Sequence, residues 1–186
     1  MPDLTVFALA VLGMLAMPGP TNTLLMTGGS VAGWRALALL PAELIGYLVA
    51  VLGWHFAIAP MAGHGTATTI IKLAAGLYLL FVASRVWFRD ASIPTLKNRV
   101  VRLHEVGIVT LLNPKALIFA LLIAPSAQTP IGAYMLVLAL LVPLIGGGWI
   151  ALGVTFGRAL PPRLVQRIGA AVTGLFATVF IAATIG

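Results

Sequence analysis

The stretch LTVFALAVLGMLAMPGPTNTLLMTGGSVA, residues 4–32, decides how the rest of the chain is read. It carries no charged side chain and exceeds the length of about 20 apolar residues that crosses the hydrocarbon core as a helix. Yet Pro18-Gly19-Pro20 stands in its middle. Two prolines remove two backbone donors and free the carbonyls that those donors would have bonded. In hydrocarbon, such groups persist only where they are buried in protein or line a watered cavity. Beyond Pro20 a helix restarts, with Thr21, Asn22 and Thr23 in its first turn. A helix start offers free N–H groups and the positive end of the dipole, which suits a carboxylate. The plainer alternative is a structural kink in one long helix.

Working outward, the whole chain shares this apolar character. Of its 186 residues, 61% are apolar and 8% charged, with a mean hydropathy of +1.10. Soluble domains carry about 25% charged residues, so most of this chain meets lipid rather than water. The sequence predicts an all-α membrane protein of six transmembrane helices. They cover about 4–32 (broken at Pro18–Pro20), 36–59, 68–88, 104–124 (with Asn113-Pro114 inside), 131–156 (with Pro143 and Gly146-Gly147-Gly148) and 165–185. That leaves room for one integral membrane domain, 1–186, and no separate soluble one. Met1-Pro2-Asp3 lacks the cationic start of a secretory signal, so the first helix is expected to stay in the protein.

The net charge of +7 does not indicate nucleic-acid binding, because the basic residues are scattered between apolar segments rather than gathered on one face. They set orientation instead, since positive charge near helix ends stays cytoplasmic. Arg35, Arg85, Arg89, Lys97, Arg99, Arg102, Arg158, Arg163 and Arg167, nine of the eleven Lys and Arg residues, fall on one side of the predicted spans. Lys72 and Lys115 are the exceptions. Both termini are therefore expected outside, with 89–103 as a cytoplasmic connector, in the cell inner (plasma) membrane.

A weak internal repeat relates residues 4–88 to 104–185. The first and fourth spans each carry a proline break. The second and fifth carry Gly53-Trp54 and Gly148-Trp149. The third and sixth share Ala74-Ala75-Gly76-Leu77-Tyr78 and Val172-Thr173-Gly174-Leu175-Phe176. Three spans per unit is an odd number, so the second unit enters inverted. Inverted repeats with broken helices at matching positions are a layout of secondary transporters.

Asn113-Pro114-Lys115 is the counterpart of the first break. Lys115 falls about eleven residues into its span, roughly 16 Å along the axis and hence near the membrane centre. An ionisable group at that depth is costly and marks a functional candidate; snorkelling to the interface is the alternative. Glu43, about two turns into the second span, is the matching anion. It shares a helix face with Gly46, Ala50 and Gly53, small residues that admit another helix closely. A Glu43–Lys115 pair is expected, either as a structural ion pair or as a site for a zwitterion or a proton, since burial favours a carboxyl that holds its proton.

Other residues say less. His55, His64 and His104 are far apart and show no metal-ligand spacing, and the absence of Cys removes thiolate chemistry. There is no phosphate loop, nucleophile elbow or dinucleotide fingerprint, so no cofactor is expected. Trp34, Trp54, Trp87 and Tyr134 fall near predicted membrane boundaries and fit interfacial anchoring. Small-residue faces leave room for a homodimer. An enzyme would bring two or more acid–base or metal groups to one membrane face. One buried acid and one buried base near mid-membrane favour transport, with a membrane-embedded enzyme or a small complex subunit as the alternative.

At these residues the chain resembles the LysE family of amino-acid exporters, which includes lysine, threonine and homoserine efflux permeases. The resemblance rests on Pro18-Gly19-Pro20 followed by Asn22, on Leu111-Leu112-Asn113-Pro114-Lys115-Ala116, on the acid of the second span and on Gly76-Leu77-Tyr78-Leu79-Leu80, and it covers nearly the whole chain. The departures are Thr21 between the PGP and Asn22, Ala42-Glu43 where the family usually carries Gly-Asp, and shorter connectors. The resemblance implies export of a small amino-acid-like solute, driven by an ion gradient, with no ATP site. Competition between proton and solute for Glu43 would make protons the coupling ion, and the two breaks with the buried charges give Pro18, Gly19, Pro20, Thr21, Asn22, Glu43, Asn113, Pro114 and Lys115 as the expected substrate-binding residues.

Overall fold

Proline and glycine punctuate this chain, and helices start and stop at them. The computed structural model describes residues 4–58, 60, 65–88, 100–123, 130–156 and 162–185, and all regular structure among them is helical. The elements are α1 (Leu4–Ala16), α2 (Pro20–Ala32), a 3₁₀ segment (Gly33–Leu39), α3 (Leu40–Ile58), α4 (Gly65–Phe88), α5 (Leu103–Leu111), α6 (Pro114–Ile123), α7 (Ile131–Phe156) and α8 (Pro162–Ile185). Arg89, Lys97, Arg99, Arg158, His64 and most of the 89–103 connector lie outside the described residues.

Four helical runs are long and apolar enough to cross a membrane: Pro20–Ile58, Gly65–Phe88, Ile131–Phe156 and Arg167–Ile185. A fifth is counted if α5 and α6, bent by 51° at their break, form one span. Length and composition thus count four or five of the six expected spans, and the reason is local. The first expected span is divided at Met17–Gly19, leaving α1 as a short apolar helix of 13 residues. Its second half, α2, continues through the 3₁₀ segment into α3. The expected loop at Trp34-Arg35 is that 3₁₀ segment. Three residues per turn place Ala36 and Leu39 on one face, and both are buried. They return onto Gly28, where a Cβ would come within 2.8 Å of Leu39. Gly33, at φ 62°, supplies the left-handed turn that a side chain would disfavour and that starts the reversal.

The helix exteriors are apolar. On α7 the buried face is Tyr134, Leu138, Val142, Gly146, Ile150 and Gly153, a repeat of three to four residues. The opposite face exposes Leu136, Leu140 and Leu144. A helix on a water-facing surface would be polar there, so these leucines are compatible with a lipid-facing exterior. α6 is buried on nearly every side, which makes it the centre of the bundle. α4 and α8 pack antiparallel, with Gly76 against Ile181, Gly174 near Ala83 and the Arg167 guanidinium 5.7 Å from the Trp87 ring.

Relative directions follow from the contacts. α3 runs alongside α5 and α6 in the same sense, since Gly107 approaches Ala42 and Thr110 approaches Gly46, while Asn113 reaches Tyr47. α1 runs with α7, pairing Phe7 with Tyr134 and Leu15 with Trp149. The C-terminal end of α1 meets the N-terminal end of α6. α3 and α7 are therefore antiparallel.

Candidate functional site

Two apolar clusters fill the interior. The larger joins Phe7 to Leu15, Tyr47 to Ile58, Ala116 to Ile123 and Tyr134 to Val142 with parts of α4 and α8. The smaller joins Leu25, Ala36, Leu39, Val101, Val106 and Ile150. Each central segment of the chain passes from one cluster to the other, and between them lie the buried polar residues: Thr21, Asn22, Glu43, Thr110, Asn113 and Lys115. Among the described residues these six share one layer with apolar packing on both sides, while the buried Tyr134 hydroxyl and His55 Nδ1 lie outside it and have no hydrogen-bond partner.

Both breaks are helix restarts with proline at the first helical position. There its missing N–H costs nothing and its φ is already helical. Gly19 caps α2 in an extended conformation ahead of Pro20. Asn113 caps α6 ahead of Pro114, its Oδ1 accepting the Lys115 amide at 3.1 Å, as N-cap asparagines do. The breaks face each other. Asn113 Nδ2 donates to Thr21 Oγ1 at 3.1 Å and to the Tyr47 hydroxyl at 3.2 Å, and Thr110 Oγ1 lies 3.2 Å from Thr21 Oγ1.

The carbonyls freed at the end of α1 are satisfied by long reaches. Asn22 Nδ2 donates to Leu15 O at 2.8 Å and to Met17 O at 2.7 Å. Trp149 Nε1 on α7 donates to Leu15 O at 3.3 Å. Lys115 Nζ donates to Met17 O at 2.8 Å, which sets an ammonium on the negative end of the α1 dipole, its favourable place. By contrast, the backbone N–H groups of Thr21 and Asn22 in the first turn of α2 have no protein acceptor among the described residues.

Glu43 is 1% exposed, and its Oε2 has no hydrogen-bond partner. It lies against Gly146, where any Cβ would overlap Oε2. Here the structure departs from the expected Glu43–Lys115 ion pair: Lys115 reaches back to the α1 terminus instead. The two charges still act on each other through space. The expected small-residue face of Glu43 is also shorter than the sequence suggests. Gly46 meets Thr110 and Gly107, but Gly53 is exposed with open space around it.

Of the residues proposed from sequence, Gly19, Thr21, Asn22, Asn113 and Lys115 converge directly, Pro18 and Pro20 flank them, and Pro114 starts α6. Glu43 joins the same layer from α3. Pro18 also packs on Gly169 of α8. Sequence reading missed Tyr47, Thr110, Met17, Trp149 and Gly146. Tyr47 stands one turn beyond Glu43 on the same face, and Thr110 stands one turn before Asn113, so helical spacing carried a signal for both. Nothing in the sequence announces that Met17 offers its carbonyl. Tyr134, expected as an interfacial anchor, is fully buried edge-on to Phe7 at 4.8 Å, because α1 covers the start of α7. Trp34, Trp54 and Trp87 are exposed. Among the described residues no three His, Asp or Glu side chains converge as metal ligands.

The fold and the site define an all-helical protein whose long apolar helices are compatible with a membrane, with a buried polar layer built on two helix breaks. Compared with known protein families, curated proteins and solved structures, the chain finds no match.

Proposed function

We propose that this chain is a secondary transporter that exports an amino acid or a similar small zwitterion, driven by the proton gradient. The observation that carries the reading is the meeting of the two helix restarts in one buried polar layer, where Lys115 and Glu43 are the only buried Lys, Arg, Asp or Glu side chains among the described residues. A zwitterion needs a cationic and an anionic partner at once. Lys115 with the free amides of Thr21 and Asn22 suits the carboxylate. Glu43 suits the ammonium, or a proton when the solute leaves. Such a layer, closed by apolar packing on both sides, has the arrangement of a midplane site reached alternately from two faces. An enzyme or a passive complex subunit has no need of matched breaks around buried charges.

The contact pattern supports an inverted repeat of 4–88 and 104–185. α3 packs on α5–α6 as α7 packs on α1–α2, α3 meets α7, and α4 meets α8. Because the run from Pro20 to Ile58 folds back at Gly33, it supplies two passes, and α1 with α2 forms a broken span like α5 with α6. Six crossings result. Nine basic residues on one side of the spans favour a cytoplasmic location for that side and both termini outside, in the inner (plasma) membrane. The motifs that resemble the LysE family coincide with the two restarts, which favours amino-acid export.

The test is a solute panel. Cells overproducing the protein are preloaded with amino acids as dipeptides, and the medium is assayed for each. We expect one or a few zwitterionic amino acids to leave faster than from control cells. Export of none overturns the proposal.

A further inference from the structure

We propose that Gly146 of α7 forms, with Glu43 of α3, a seat that admits a proton and nothing larger, so that solute reaches Glu43 only when α7 parts from α3. This rests on the transport reading above and deepens it.

Three observations support the seat. Glu43 Oε2 is buried and unpartnered, and what faces it is the bare Cα of Gly146, where a Cβ would collide with both Oε2 and Leu40. With the Glu43 and Leu40 side chains as they stand, the contact has no room for a methyl, and an ammonium group, which needs its own shell of acceptors, does not fit it. A proton does, and a neutral carboxyl bears such a seat at far lower cost than a carboxylate. Of the three consecutive glycines, only Gly146 is used in this way, because a Cβ on Gly147 or Gly148 would meet nothing within 4 Å. Finally, Pro143 stands three residues before Gly146 inside α7. It removes one helical hydrogen bond, and together with the glycines it makes this the least stiff part of the helix.

The charged and titratable surroundings are few. Lys115 on α6 and Tyr47 on α3 interact electrostatically with Glu43. α7 carries no charged residue, and its Tyr134 is three turns away. His104 and Glu105 stand at the first turn of α5, and Arg35 in the 3₁₀ segment is exposed. The seated state holds the proton and the parted state releases it, so acid favours seating and rising pH favours parting.

The chain has no Cys, so spin labels can be placed on Cys replacing Ile45 and Leu152, both exposed. Electron–electron resonance distances are measured in lipid nanodiscs across pH 5 to 9, with no solute present. For one linked proton we expect the ratio of long to short distances to rise by up to about tenfold per pH unit around the titration. Glu43→Gln, neutral at every pH, should hold the short distance throughout. Gly146→Ala, whose methyl meets the Glu43 and Leu40 side chains, should shift the distribution toward the long distance at every pH, and Gly147→Ala should behave as the parent. A parent distribution that does not respond to pH, a Glu43→Gln protein that still responds, or a Gly146→Ala protein that matches the parent overturns the proposal. Because no solute is used, the seat can fail while the solute panel succeeds, and the reverse.

Discussion

At Glu43 and Lys115 the same charge count conceals two different situations. Lys115 is bonded to Met17 O and lies at a helix C-terminus, whereas Glu43 Oε2 has no partner. Lys115→Met removes a charge-assisted hydrogen bond worth about 1.5–3 kcal/mol, so we expect a lower melting temperature in detergent together with loss of efflux. Glu43→Gln removes a buried carboxyl whose Oε2 has no hydrogen-bond partner, so it should melt no lower than the parent while also losing efflux. Equal melting losses in the two variants would contradict this asymmetry. Asn113→Ala strips the α6 cap and two donated bonds; caps alone contribute about 0.5–2 kcal/mol, and thermal unfolding should fall accordingly. The sequence made these residue types legible, since a charge or a proline within an apolar run stands out. It did not reveal their pairing. Charge complementarity suggested Glu43 with Lys115, but a freed carbonyl at the end of α1 competes for the ammonium, and carbonyls have no signature in side-chain letters.

Helix restarts and close crossings govern the elements. Pro20 and Pro114 were readable as breaks because proline acts through its own backbone, and α7 was readable end to end from its apolar run. The 3₁₀ reversal at Gly33–Leu39 and the burial of Tyr134 were not, because both depend on which distant surface covers them: Gly28 in one case and α1 in the other. Where α2 crosses α7, Cβ atoms at Gly29 and Gly153 would overlap the backbones of Ile150 and Met26 respectively. Backbone cannot swing aside as a side chain can, so Gly29→Ala and Gly153→Ala should each cost at least about 1–3 kcal/mol through overpacking. Gly13→Ala, with open space around it, should stabilise by up to about 1 kcal/mol through helix propensity. Thermal-shift measurements on the purified variants check the contrast, and losses of equal size at positions 13 and 29 would refute the crossing as described.

For the whole molecule, apolar clusters on two sides flank a polar layer that holds Lys115 and Glu43. Orientation is checked by replacing Lys97 with Cys in this Cys-free chain: labelling by an impermeant reagent in intact cells would contradict a cytoplasmic connector. The most direct test of coupled export uses the purified protein in liposomes with an amino acid identified by the panel. With the interior acidified, outward proton movement should drive the labelled amino acid inward above its equilibrium level, and a protonophore should abolish the accumulation. Liposomes carrying an equal amount of folded Glu43→Gln protein should show none. Accumulation by Glu43→Gln at the parent rate, with unchanged pH dependence, would contradict proton coupling through Glu43 and leave it a structural residue.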